Sequence, residues 1–155
     1  MAVGIAAVFI TFNLLGGRHL LQPYEIGQAI DSLNGVIVYY NGPISNVSGR
    51  NTAKDGYNIG QKYQCVEFVK RYYYEYLNHK MPDTYGHAKD FFNPAVADGK
   101  LNKQRNLIQY TNGSTSKPMV SDPMVLGGGS HGPVFIVSPV FDDEIEIIRH
   151  NPGPR

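Results

Sequence analysis

The chain has 155 residues, enough for one domain whose core needs no staples. Its formal net charge is +1, and no basic run or aromatic-basic interleaving is present, so the sequence offers no electrostatic case for nucleic acid. A single cysteine excludes an internal disulfide framework, and without CxxC or HExxH spacing neither a structural nor a catalytic zinc site is expected.

Met1 to Leu15 is nearly all apolar and stops at Gly16-Gly17-Arg18. It is short of the ~20 residues that span a bilayer. Its length fits the apolar part of a signal peptide, but no basic stretch precedes it and no clear cleavage site follows. Export signal, membrane-proximal anchor and core helix all remain open, with export or anchoring favoured; residues 1–17 are set apart from a domain over 23–155. Pro23 to Leu33 reads as a short amphipathic helix, with Ile26, Ile30 and Leu33 at helical spacing and Asn34-Gly35 as its stop. Val36 to Tyr40, β-branched and aromatic, reads as a strand closed by Asn41-Gly42-Pro43. Ile44 to Gly60 is polar and rich in Gly and Asn, and reads as a loop.

The next stretch organises the chain. Cys65, Phe68, Val69, Tyr72 and Tyr76 fall at i, i+3, i+4, i+7 and i+11, one face of a helix running to about Leu77. A thiol in the first helical turn meets unpaired backbone N–H groups and the positive end of the macrodipole, which favour the nucleophilic thiolate. The competing reading is a buried cysteine acting as a small hydrophobe. Gln64 places an amide donor beside any oxyanion formed at the thiol. Tyr63-Gln64-Cys65-Val66-Glu67-Phe68-Val69-Lys70-Arg71-Tyr72 resembles the cysteine motif of the CHAP family, the cysteine, histidine-dependent amidohydrolases/peptidases, and of related glutathionylspermidine amidase domains. The likeness extends, with gaps, from about Gly35 to Pro154. It implies a papain-like bacterial α+β domain, with N-terminal helices packed on a small antiparallel β-sheet and Cys65 as nucleophile.

After the helix, His79 and Lys80 sit where cations favour a helix C-terminus. Gly86 to Phe92 reads as a second short helix, with His87 a packing or surface residue, and Asn112 to Pro123 as a polar loop. Val134 to Val137 and Glu144 to Arg149, joined through the turn signal Asp142-Asp143, read as a β-hairpin. The resemblance implies a Gly-His-Val opening to the first of these strands, the His serving as general base. This chain has Gly132-Pro133-Val134 there. His131, two residues upstream, shares the strand face but is displaced by about 6.6 Å along an extended chain, against about 3 Å for a hydrogen bond to sulfur. Asn151 falls on the family's ring-orienting amide, with Arg149 where a Glu is common and His150 facing away. Pro123 and Pro139 each remove a ladder donor from segments that are strands in the family. Relatives also continue beyond the position of Arg155 into at least one more strand.

These readings combine into an expectation. Cys65 attacks an amide carbonyl in a peptidoglycan peptide, His131 moves the proton, Asn151 holds the ring, and the Cys65 backbone N–H with Gln64 holds the oxyanion. No cofactor or metal is needed, the partner is peptide, nucleic acid is not expected, and the place is the bacterial envelope or the exterior. The alternative is a catalytically impaired domain that binds cell-wall peptide or a protein, favoured by Pro133 and Arg149.

Overall fold

Asn34-Gly35 lies between two runs that pair, and both residues adopt left-handed backbone, φ 49° and 83°. Two such residues make a turn whose twist matches antiparallel strands. In the computed structural model, which describes residues 24–127, 132–140 and 144–148, this turn joins β1 (Ala29–Leu33) to β2 (Val36–Tyr39), with Leu33 opposite Val36. Of the helix expected over 23–33, the described part, 24–33, is therefore a turn and a strand. Its helical spacing was produced by a register shift between Ala29 and Asp31, which takes Ile30 out of simple alternation.

The loop expected from Ile44 to Gly60 contains a second hairpin, β3 (Arg50–Thr52) with β4 (Asn58–Gln61). Its strands are mostly polar, and Ile59 and Gly60 are the buried residues of β4. Three residues then lead into α1 (Cys65–Glu75). Beyond α1 come a 3-10 helix (Ala88–Phe91), the hairpin β5 (Lys100–Asn102) with β6 (Leu107–Gln109), and a three-stranded antiparallel sheet. That sheet runs β7 (Pro123–Val125), β8 (Val134–Val140), β9 (Ile145–Ile148), with β8 central. The expected C-terminal hairpin is present as β8 and β9, whereas the second helix is a single 3-10 turn. Pro123 opens the edge strand β7, where a missing donor is tolerated, and Pro139 sits at the β8–β9 register shift between Val137 and Val140.

The class is thus α+β: among the described residues, one α-helix and four small antiparallel sheets. Helices in the plural are not found there, since strands occupy the described part of the N-terminal third. α1 packs against β4, β8 and β2. Phe68, Val69, Tyr72 and Tyr73 from α1 meet Val36, Val38, Met81, Phe91, Val134 and Ile136 in one core. Each large apolar side chain so buried contributes on the order of 1.5–3 kcal/mol. Tyr76, expected on this face, is 49% exposed because α1 stops at Glu75 and the stripe runs past the edge of the core. The tyrosine hydroxyls are satisfied: Tyr72 accepts from the Asn34 amide and bonds the Ser121 hydroxyl, and Tyr73 donates to the Ser121 carbonyl.

Arg105, at the turn between β5 and β6, is buried and holds the segment before the 3-10 helix. Its guanidinium donates to the carbonyls of Asp83, Tyr85 and Asp90 and lies 4.3 Å from the Phe91 ring centroid. The His79 ring does not cap α1. The His79 backbone N–H bonds the Tyr73 carbonyl and the ring Nε2 bonds the Arg105 carbonyl at 2.9 Å, while Lys80 pairs with Asp55.

Candidate active site and the adjoining cavity

The turn from β4 to α1 is tight. Tyr63 takes φ 66°, left-handed backbone that a bulky residue rarely adopts, and Gln64 returns to extended geometry as the helix N-cap. Cys65 is the first residue of α1, partly exposed, and packs against the core cluster. The first α1 bond is donated by the Phe68 N–H to the Gln64 carbonyl, and Gln64 has no side-chain capping bond. The N–H groups of Cys65, Val66 and Glu67 are the ones a helix start leaves without intrahelical partners.

Gln64 is bound to the loop in front of it. Its Nε2 donates to the Asn46 carbonyl at 2.8 Å and, more weakly, to the Ile44 carbonyl at 3.4 Å. Asn46 in turn donates to Asn41 and Ser48, and Asn41 donates to the Pro43 carbonyl. This chain of amides fixes the segment 41–48 beside the start of α1. An oxyanion contact from Gln64 would have to replace one of these bonds.

Pro133 is exposed, immediately ahead of β8, and its carbonyl accepts from the Leu126 N–H at 3.1 Å. Gly132 precedes it with φ 62°, and a Cβ there would come within 3.0 Å of the Leu126 carbonyl oxygen. His131, Asn151, Arg149, His150 and the segment Met1 to Leu15 lie outside the described residues. Among the described residues, no hydrogen bond reaches the Cys65 thiol, no group of three or more His, Cys, Asp or Glu is placed to hold a metal ion, and no helix is long and apolar enough to cross a membrane. His87 leads the 3-10 helix, where its N–H donates to Asp90 at 2.7 Å.

A feature the sequence reading passed over lies two residues along α1. Glu67 and Arg71 form a buried ion pair, Nε to Oε1 at 2.7 Å, and the same Oε1 accepts from the Asn51 amide at 2.8 Å. Arg71 also donates to the Ile37 carbonyl and lies over the rings of Tyr39 and Phe68. The i,i+4 order of acid before base was the signal available in the sequence. Glu67, Arg71, Asn51, Ile37 and Tyr39, with Gly35, Lys62, Tyr63 and Glu75, line a cavity of about 330 Å³. Next on the helix, Lys70 is buried and donates to the carbonyls of Asn58 and Thr84; burial pulls its pKa down to about 8.

No family model matches the chain, and no curated protein matches it.

Proposed function

We propose that the chain is a CHAP-like, papain-type cysteine amidase or peptidase that cleaves amide bonds in bacterial peptidoglycan peptides, working at the cell envelope or outside the cell. The observation that carries this reading is the placement of the only cysteine: first residue of the α-helix, partly exposed, on a helix packed against the central strand of an antiparallel sheet. In this reading Cys65 attacks the amide carbonyl, and backbone N–H groups at the start of α1 receive the oxyanion. His131 takes the thiol proton and returns it to the leaving amine, and Asn151 orients its ring. The segments 44–60 and 112–123 flank the cleft and select the peptide.

The test is hydrolysis of purified peptidoglycan fragments by the full chain. Cys65→Ala abolishes release of new amino groups while leaving the thermal midpoint nearly unchanged, because the thiol is only partly buried. Full activity in that variant excludes the cysteine mechanism. A second reading, a domain that holds the peptide without cleaving it, is favoured by Pro133 at the register where the resemblance implies the base, and by the commitment of the Gln64 amide to loop carbonyls. It is distinguished by saturable fragment binding with no release of amines.

A further inference from the structure

The hairpin of β5 and β6 has its faces reversed. Alternation puts Asn102 and Gln109 on one face and Leu101, Ile108 and the following Tyr110 on the other. The face turned to the protein carries the amides: Asn102 and Gln109 are only 2% and 7% exposed. Asn102 Nδ2 donates to the Phe91 carbonyl and to Gln109 Oε1, and Gln109 Nε2 donates to the carbonyls of Asn93 and Val96. These bonds leave the apolar face toward solvent. Leu101 and Ile108 stand directly opposite each other at 44% and 54% exposure, and Tyr110, 48% exposed, lies beside Gly99, where a Cβ would come within 3.8 Å of its ring. Single exposed apolar residues are ordinary on a protein surface. A cross-strand pair with an adjoining aromatic, on a face fixed outward by buried amides, marks a surface that meets something apolar.

Charge selects what covers this face. Residues 99–110 carry Lys100 and Lys103, both exposed, and no acid. The neighbouring carboxylate, Asp98, is held by the Thr111 N–H and hydroxyl. A second copy of the chain would bring like charges together, and three half-exposed side chains fall well short of the ~800 Å² per partner of a stable protein interface. An anionic lipid surface needs neither a large area nor a matching shape. Apolar side chains enter the acyl boundary, tyrosine sits at the headgroup level, and lysines meet the phosphates. We infer that the outer face of the β5–β6 hairpin docks on an anionic bilayer surface, with Leu101 and Ile108 inserting and Lys100 and Lys103 pairing with headgroups. This contact lies on the membrane without spanning it, and it depends neither on Cys65 nor on the segment Met1 to Leu15.

The chain contains no tryptophan, so Tyr110→Trp places a single indole on this face. The full chain carrying it is mixed with phosphatidylcholine vesicles made with and without phosphatidylglycerol. The expected result is emission that moves to shorter wavelength and is quenched by lipids brominated along the acyl chain, on the phosphatidylglycerol vesicles alone. Lys100→Gln and Lys103→Gln are each expected to weaken partitioning about fivefold. Leu101→Ser and Ile108→Ser should each weaken it about tenfold, with thermal midpoints nearly unchanged because all four side chains are exposed. Should Tyr110→Trp fail to fold, Ile108→Trp carries the same readout on the same face. An indole that stays unquenched while the chain sediments with the vesicles overturns the inference, since another segment then makes the contact. So do equal partitioning onto neutral vesicles and serine variants that partition like the parent. A spectral shift produced by soluble polyglutamate marks charge alone, and one that grows with protein concentration in the absence of lipid marks a second copy of the chain; either overturns it too.

Discussion

Lys70 shows what burial does to a single residue. Its ammonium is almost sealed from water, bonded to two carbonyl oxygens, and 5.0 Å from the Tyr57 ring centroid. Desolvation, the leading cause, and the charge of Arg105 lower its pKa from 10.5 to about 8. In the unfolded chain it keeps the ordinary value, so between about pH 8 and 10.5 the unfolded state binds the extra proton. Unfolding free energy therefore rises with pH across that window, and the cost of the buried charge is present in full below it. Chemical denaturation of the parent and of Lys70→Met from pH 7 to 10 is expected to show the parent gaining stability relative to the variant. Parallel curves would mean that Lys70 keeps its ordinary pKa in the folded chain.

At the scale of elements, Gly60 decides how closely β4 can approach α1. Its φ is 142°, and a Cβ would stand 3.2 Å from Glu67 Cα and 3.4 Å from Glu67 N, backbone that cannot step aside. Gly60→Ala is expected to lose about 1–3 kcal/mol, strain and overpacking together. Gly56→Ala, also at positive φ but with nothing within 4 Å, should lose the backbone part alone. Equal midpoints for the two variants in urea would show that β4 and α1 are not held at this distance. Elements with a single strong signal were legible in the sequence. α1 was read from its 3.6-residue stripe, and the final hairpin from two apolar runs around a turn. Residues 24–33 were misread because Asn34-Gly35 serves equally as a helix stop and as a two-residue hairpin turn, and only the partner strand distinguishes them. The β3–β4 hairpin was missed because three-residue polar strands carry no alternation to read.

Across the whole molecule the question is whether segments far apart in sequence complete a reacting set. The thiol's position was legible because a helix start is a local property. The ion pair of Glu67 and Arg71 was visible only as spacing, and its meeting with Asn51 and Ile37 needed the fold. The base depends on a strand register, which one residue shifts to the opposite face. A thiol needs an imidazole to accept its proton and protonate the leaving amine, a contribution of roughly 10²–10⁴-fold. At the register where the resemblance implies that group stands Pro133, exposed and contributing to the sheet only through its carbonyl, a bond that any residue can make. Pro133→His should therefore leave the β7–β8 edge intact, and under the second reading, in which the parent holds the peptide without cleaving it, it is expected to raise peptidoglycan-fragment hydrolysis about a hundredfold over the parent. Adding Cys65→Ala should remove the gain. The opposite pattern is equally informative: if the parent cleaves readily, His131→Ala abolishes that cleavage and Pro133→His adds nothing, then His131 is the base.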